Sequence, residues 1–460
     1  MSDSGQKQRE EIKRGVLDDI TPGNEERREI QIVFEELEER ATDALDELGF
    51  GCVELVGSTA RDTWLSGDRD IDVFLLLPTD LDREEFQEVG LDVGREVLPD
   101  STVAYAEHPY VRGSMEGYDV DLVPCYDLDS TEELKSAVDR TPFHRDYVKE
   151  RGLDGDQVRL LKAFLQGGGL YGSELKTRGF SGYLCELLVL EYGGFEEVVR
   201  EAATWGRQTF IDPGEKRGGS GDETVDDRFD SGFVVVDPVD EDRNVAAVVS
   251  REKYAEFIDR CRRWLENPGK EFFYEPHRRS MTEEEYLSTL DRRGSRVVSI
   301  VFESPDIVED QLYPQLRSTA SSFRNKLEDL GFSVLRTTVM SEDRSVILLE
   351  FDVFELSSVE RHQGPPVYVG KHSVSFRSKY KELDVVGPYI DDDRYVVEIE
   401  RAFTTPAEFL EGEAVFDLGL GKHVGEAMRD GYSILVDEAC TSLLPEFGGS
   451  FTEHFDPELH

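Results

Sequence analysis

Two stretches of this chain place acidic side chains where they can do chemistry together. The first runs Gly57-Ser58-Thr59-Ala60-Arg61 and, past Arg69, into Asp70-Ile71-Asp72-Val73; the second is Tyr118-Asp119-Val120-Asp121-Leu122-Val123-Pro124. On a β-strand, residues two apart face the same way. Asp70 and Asp72 therefore project together, as do Asp119 and Asp121, while Ile71, Val73, Val120 and Leu122 turn to the core. Carboxylates at that density repel and raise one another's pKa unless a cation compensates them. Magnesium is the cation that suits an all-oxygen set completed by substrate phosphates. Two such ions serve an in-line displacement at phosphorus, one at the attacking hydroxyl and one at the leaving pyrophosphate. The upstream Gly57-Ser58 turn can aim backbone amides at an anion, with the Ser58 hydroxyl and the Arg61 guanidinium as further phosphate donors. In a chain this acidic an isolated Asp-x-Asp reads first as a solvated strand edge. The Gly-Ser turn and the later acid together shift the reading to an active site.

The elements that must hold these groups follow from periodicity. Residues 25–48 carry Ile30, Ile32, Val33, Leu37, Ala41, Ala44, Leu45 and Leu48 at helical spacing. Short strands are expected at 53–56, 71–77, 101–106 and 118–124, giving an α/β unit in the first third. Helices are expected at 158–166, 179–192 and 253–266, with a Gly- and acid-rich loop or hairpin at 213–230 and a strand at 233–236. Beyond Asn267-Pro268-Gly269 the pattern is mixed, with strands at 295–303, 331–339, 345–353 and 395–401 and a helix at 313–330. The boundaries expected are 1–145 for the α/β unit that carries the acids, 146–270 for a mainly helical domain, and 271–460 for an α+β region.

Composition bounds the setting. The 460 residues include 99 Asp plus Glu against 52 Lys plus Arg, a formal net charge of −47, yet 38% are hydrophobic and 10% aromatic. That is enough for globular cores, and the length suits about three domains. Such self-repulsion is costly in dilute buffer and largely vanishes in molar salt, where the Debye length is about 3 Å. The charge reads as a surface adapted to a salty cytoplasm. Cys52, Cys125, Cys185, Cys261 and Cys440 are scattered, with no CxxC pair, which argues for reduced thiols and against a zinc site. The expected location is the cytoplasm, since no signal-peptide or membrane-spanning pattern is found.

The residues around the acids resemble the polymerase beta-like nucleotidyltransferases. The segments Asp70-Ile71-Asp72-Val73-Phe74, Glu107-His108-Pro109-Tyr110, Asp121-Leu122-Val123-Pro124-Cys125-Tyr126, Asp139-Arg140-Thr141-Pro142-Phe143-His144, Arg178-Gly179-Phe180-Ser181-Gly182-Tyr183, Asp237-Pro238-Val239-Asp240, Tyr313-Pro314-Gln315-Leu316 and Phe403-Thr404-Thr405-Pro406 narrow the likeness to archaeal, class I CCA-adding enzymes. It covers nearly the whole chain. The implied fold is α+β and multidomain: a polymerase beta-like head with a small mixed sheet, a helical central domain and an α+β C-terminal RNA-binding region. The implied activity is template-independent addition of C, C and A to the 3′ end of tRNA from CTP and ATP, with two Mg²⁺ ions and release of pyrophosphate. A homodimer is a further family expectation.

Carried over residue by residue, the resemblance makes Asp70, Asp72 and Asp121 the catalytic and metal-binding acids, with Asp119 a less certain fourth. It gives Ser58, Arg61, Thr141, His144, Lys162 and Tyr171 to the triphosphate and sugar, and Arg243 to the base edge. Taken alone, Lys162 reads as a solvated helix residue and Tyr171 as a packed one. His108 and His423 read equally well as structural. Stretches free of carboxylates, 157–173, 311–327 and 367–381, are where an acidic protein could meet a polyanion. Arg317, Arg324, Lys371, Arg377 and Lys379 are the RNA-binding candidates, with Tyr368, Phe376 and Tyr380 as stacking candidates whose default reading is core packing. The acid set alone serves a poly(A) polymerase or another terminal nucleotidyltransferase equally well. A non-catalytic RNA-binding protein on the same scaffold would be expected to have lost a metal ligand or the Gly-Ser turn, and both are present.

Overall fold

A computed structural model describes residues 3–105, 107–214, 231–276 and 279–457; the loop expected at 213–230 falls almost wholly outside them. The chain forms two compact units, 1–276 and 277–458, with the last two residues grouped with the first.

The first unit opens with helices α1 (Asp3–Ile20) and α2 (Asn24–Leu48). Strand β1 (Cys52–Leu55), the one-turn helix α3 (Gly57–Ala60), β2 (Asp70–Leu77) and helix α4 (Arg83–Val97) follow. Then come β3 (Thr102–Tyr105), β4 (Pro109–Met115) and β5 (Tyr118–Tyr126). These strands make one sheet in the order β1-β2-β5-β4-β3. Only the central β2–β5 pair is parallel. Strict alternation divides its faces. Ile71, Val73, Leu75, Val120 and Leu122 are buried in a core shared with Leu37, Ala41 and Leu45 of α2 and Phe86, Val93 and Val97 of α4. Close packing of α4 on the sheet depends on Gly94, where a Cβ would come within 2.5 Å of Val111. The opposite face carries the acids at one end and a small apolar patch of Phe74, Leu76 and Cys125 at the other.

The rest of this unit is mainly helical: α5 (Arg140–Glu150), α6 (Gly155–Gln166), α7 (Gly182–Tyr192), α8 (Phe195–Ala202) and, after the strands, α9 (Arg251–Glu266). Strands β6 (Thr209–Ile211), β7 (Phe233–Asp237) and β8 (Asp240–Asn244) form a three-stranded sheet. Their core is rich in aromatic residues, with Phe164, Phe195, Trp264, Phe272 and Phe273 in mutual contact. Helix α1 is tied to it by a buried ion pair, Arg9 Nε to Glu196 Oε1 at 2.6 Å.

In the second unit, α10 (Glu283–Arg293), β9 (Arg296–Glu303), α11 (Glu309–Asp329), β10 (Ser333–Ser341) and β11 (Arg344–Val353) lead into β12 (Val359–Pro366) and α12 (Gly370–Tyr380). Strands β13 (Val386–Asp391) and β14 (Arg394–Glu400) precede α13 (Pro406–Leu410), α14 (Lys422–Asp430), β15 (Tyr432–Val436) and α15 (Leu444–Phe455). A four-stranded antiparallel sheet, β10-β11-β9-β15, has α11 and α14 on one face and α10 and α15 on the other. A smaller sheet, β12-β14-β13, carries α12. The architecture is the α+β, multidomain type expected. Expected elements shift by a few residues at their ends; helices α1, α4, α5, α8, α10, α12, α13, α14 and α15 and strands β4, β6, β8, β12, β13 and β15 are additions to the sequence reading.

Candidate active site on the acidic face of the first sheet

The parallel β2–β5 register sets Asp70 opposite Asp119 and Asp72 opposite Asp121. Four carboxylates from two strands thus share one face. Asp72 is the most enclosed of them. Burial, together with the negative charges of Asp121 and Asp70, pushes its carboxyl up to about 6, against the weaker pull of Arg61 and Arg112. Asp70 is likewise raised, by burial and then by Asp68, Asp119 and Asp121. Such shifts mark an acid cluster short of positive charge. As the side chains stand, no three His, Cys, Asp or Glu groups among the described residues converge on a metal-sized point. Both oxygens of Asp121 are instead taken by Arg112, with Nε–Oδ1 at 2.7 Å and Nη2–Oδ2 at 2.6 Å. The ligating atoms on this face are carboxylate oxygens throughout, the chemistry that suits a hard divalent ion.

Above this face lies the Gly57-Ser58 turn. The Val56 amide donates to the Asp72 carbonyl at 3.0 Å, and Gly57 follows with φ +71°. A Cβ on Gly57 would sit 2.1 Å from Asp72 Oδ2; the glycine is what lets the turn close over the acid. Ser58 is half-buried. Arg61 is held from behind, Nε to Glu186 Oε1 at 2.9 Å and to Oε2 at 2.8 Å. Glu186 is fully buried and also accepts from Thr63 Oγ1 at 2.8 Å.

Lys162 and Tyr171 fall beside that network. Lys162 is buried, its ammonium donating to the Thr63 carbonyl at 2.8 Å, and desolvation lowers its pKa despite Glu186 nearby. It lies 6.0 Å from the Tyr171 ring, whose phenol is raised by burial. Lys162 is therefore not the solvated helix residue its sequence context suggests; it is packed against Thr63 and the Tyr171 ring.

A second cluster gathers around Asp237 at the end of β7. His144 Nε2 is 2.8 Å from Asp237 Oδ2, and Arg243 Nη1 donates to the same oxygen at 2.7 Å. The Val239 amide donates to Oδ1 at 3.1 Å. Burial opposes the charge on Asp237, but these bonds prevail and its pKa ends below the ordinary value. His144 is lowered, mainly by burial. An ionised carboxylate only accepts, so the proton of a neutral His144 sits on Nε2. His144 stacks on Tyr183 at 3.9 Å between centroids. Thr141 lies in the first turn of α5, three residues before His144. A cleft of about 850 Å³ adjoins this cluster, lined among others by Arg140, Arg243, Asn244, Ser173 and Ser181, a size suited to a nucleotide-sized ligand.

Helix α7 joins the two clusters. Tyr183 and Glu186 stand three residues apart, hence on one helix face, the first against His144 and the second against Arg61. The charge of Arg61 is felt at Asp72, His144, Lys162 and Tyr171 alike. Asp72, His144, Lys162 and Tyr171 thus all lie within electrostatic reach of Arg61. The sequence reading assigned no role to Glu186, Asp237 or Arg112. A lone carboxylate inside the apolar run 183–190 was the available signal for Glu186, because a charge is rarely buried without a partner.

The RNA-binding candidates lie in the second unit. Arg317 and Arg324 are on α11, where Arg324 Nε bonds Glu328 Oε1 at 2.9 Å; the first acid after the acid-free stretch, one turn beyond Arg324, pairs with it. Arg317 lies 5.6 Å from the Tyr313 ring. Lys371, Arg377 and Lys379 are exposed on α12, with Arg377 over Tyr395 and Lys379 over Tyr380. Tyr380 is buried, while Phe376 is half-buried and packs against Gly364 and Tyr380. Tyr368 is 81% exposed and open to stacking. No helix among the described residues is long and apolar enough to cross a membrane.

Three family models match in succession: a nucleotidyltransferase domain over residues 30–144, the second domain of tRNA nucleotidyltransferase over 156–274, and the C-terminal domain of CCA-adding enzyme over 293–437. Among curated relatives, the CCA-adding enzyme of Haloarcula marismortui is 44% identical over 457 residues, covering 95% of this chain and 96% of that protein. That of Halorubrum lacusprofundi is 45% identical over 461 residues, covering 96% and 97%. That of Methanosarcina acetivorans is 41% identical over 448 residues, covering 95% and 96%. With identity of this order sustained from end to end, and with an acid-faced nucleotidyltransferase sheet in place, the chain belongs to the CCA-adding enzyme family.

Proposed function

We propose that this enzyme adds C, C and A, one nucleotide at a time, to the 3′ end of tRNA from CTP and ATP, releasing pyrophosphate at each step. The observation that carries the reading is the pairing of Asp70 and Asp72 with Asp119 and Asp121 across one parallel strand pair, beneath the Gly57-Ser58 turn, in a chain that keeps its family likeness over both units.

Asp70, Asp72 and Asp121 would hold two Mg²⁺ ions. Bound there, magnesium supplies the charge that makes the 3′ hydroxyl a better nucleophile and the triphosphate a better leaving group. The chain's own residues do the positioning. Ser58 and the amides after Gly57 receive the triphosphate. Arg61 is oriented toward it by Glu186, and Lys162 adds positive charge from below. Asp237 fixes the guanidinium of Arg243 at one edge of the cleft, where a fork of donors can meet a base carbonyl and ring nitrogen. Tyr183 and His144 form a stacked wall beside it, and Thr141 adds a hydroxyl at the sugar. Three functional parts follow: catalysis in 1–145, nucleotide holding in 146–270, and tRNA binding in 271–460, with Lys371, Arg377, Lys379 and the exposed Tyr368 meeting the RNA. A medium rich in salt suits the −47 charge, and there shape and stacking contacts must carry more of the RNA affinity than counterion release does.

The test is incorporation of single labelled nucleotides into tRNA lacking its 3′ end. C must enter before A, and synthesis must stop after one A. Runs of A or U, or extension of unrelated RNA with equal efficiency, would assign the enzyme to another terminal transferase activity.

A further inference from the structure

The hairpin between β4 and β5 turns through Glu116 and Gly117, both with positive φ, at 52° and 82°. Two such residues are the mark of a tight primed turn, which locks the register of the strands it joins. Met115 thereby pairs with Tyr118, Ser114 with Asp119, and Arg112 with Asp121. Arg112 is placed directly across from the acid assigned as third metal ligand and closes on it as a fork, taking both oxygens at 2.7 and 2.6 Å. Tyr110, two residues back on the same face, receives a bond from Arg112 Nη2 at 3.1 Å.

Among the described residues, Arg112 is the one arginine or lysine hydrogen-bonded to any of Asp70, Asp72, Asp119 and Asp121. Its side chain is 57% exposed, against 20% for Asp121. A buried strut could not leave without stranding a charge. An exposed guanidinium can swing into solvent at little cost. The same two oxygens that Arg112 fills are those a metal ion would need.

We infer that Arg112 is a resident counter-cation: it occupies Asp121 in the resting enzyme and gives way as the divalent ion loads, so guanidinium and metal compete for one carboxylate. This rests on the assignment of Asp121 as a metal ligand. Before loading, Arg112 offsets part of the repulsion among four acids. After loading, two divalent ions would neutralise the four carboxylates and take up the Asp121 oxygens, so the guanidinium would lose both its partner and the charge that holds it. Arg112 thus acts as a positioning residue that raises the metal concentration needed to fill the site without touching the substrate.

The experiment is titration of the nucleotide-free protein with Mn²⁺, following free Mn²⁺ by electron paramagnetic resonance in about 1 M KCl, where the Debye length is about 3 Å and distant charges are screened. Arg112→Met should bind Mn²⁺ about five- to tenfold more tightly than the unaltered protein, the range from an exposed ion pair to a bidentate one. Arg112→Lys, which keeps the charge and loses the fork, should fall between. In an Asp121→Asn background, Arg112→Met should bring no tightening. Unchanged affinity in Arg112→Met, or tightening that persists without Asp121, would overturn the competition. If Asp121→Asn alone leaves Mn²⁺ affinity intact, the fault lies with the metal-ligand assignment itself. Thermal unfolding of each variant shows that the titrated protein is folded.

Discussion

Replacing Gly57 by alanine separates two things the structure predicts will respond differently, global stability and the aim of Asp72. The residue has φ +71°, a conformation that costs an L-residue about 1–2 kcal/mol. A new Cβ would also lie 2.1 Å from Asp72 Oδ2, 3.0 Å from its Cγ and 3.2 Å from its Cβ. Asp72 cannot retreat as a unit, because its carbonyl is held by the Val56 amide at 3.0 Å and its strand is paired on both sides. The carboxylate must therefore swing by about 1 Å, a misplacement that costs roughly 10²-fold in rate, or about 2.7 kcal/mol of barrier. Gly49→Ala is the matched control. It has φ +82° and nothing within 4 Å of the added atom, so it carries the strain without the collision. Both variants should melt a few degrees lower. Single-turnover incorporation of CMP into tRNA lacking its 3′ end should fall about 100-fold for Gly57→Ala and stay near the unaltered rate for Gly49→Ala, well below either melting temperature. Equal rates for the two variants would refute the role given to the glycine.

Two further outcomes are expected. Asp237→Asn removes the charge that aligns His144 and Arg243; the KM for CTP and ATP should rise about tenfold or more, the range for a charge-assisted bond of about 1.5–3 kcal/mol, with a smaller change in the melting temperature. In the second unit, Glu350 is bonded by Arg293 at 2.7 and 3.0 Å and faces His454 at 3.5 Å. Burial works against its charge, but these partners and Ser295 hold its pKa down to about 2. A lowered carboxylate stabilises fully above its unfolded-state value near 4.5 and stops doing so as pH falls toward 2. About 2–3 kcal/mol should be lost over that window. Urea unfolding of Glu350→Gln should show a weaker unit at pH 7 and a flatter loss below pH 4.5; an acid profile identical to the unaltered protein's would contradict it.

Much of the site was legible because period-two alternation is local. Asp70 with Asp72, and Asp119 with Asp121, could be put on one face from spacing alone, and the hydrophobic spacing of residues 25–48 marked α2 almost to its ends. Strand pairing is not local. Nothing in either stretch says that β2 and β5 run parallel with Asp72 opposite Asp121, a register set by the packing of α2 and α4 and by the hairpin before β5. Burial of charge was likewise hidden. Arg61 and Glu186 are 125 positions apart, and Lys162 needed the Thr63 carbonyl to leave water. In the second unit an acid-free stretch proved an incomplete guide, since Glu328 pairs Arg324 from just outside it.

The order in which the residues are laid down along the chain has a consequence for synthesis. The acid face is complete once β5 exists, but its counterpart waits for Glu186, Asp237 and Arg243. At about 5–20 residues per second, a ribosome reaches Arg243 roughly 6–24 s after Asp121. Throughout that interval the nascent chain has carboxylates without the clamp that would align a nucleotide over them. Arg112 and Asp121, both already made, can pair through their hairpin meanwhile, so the acidic face need not wait bare for its later partners.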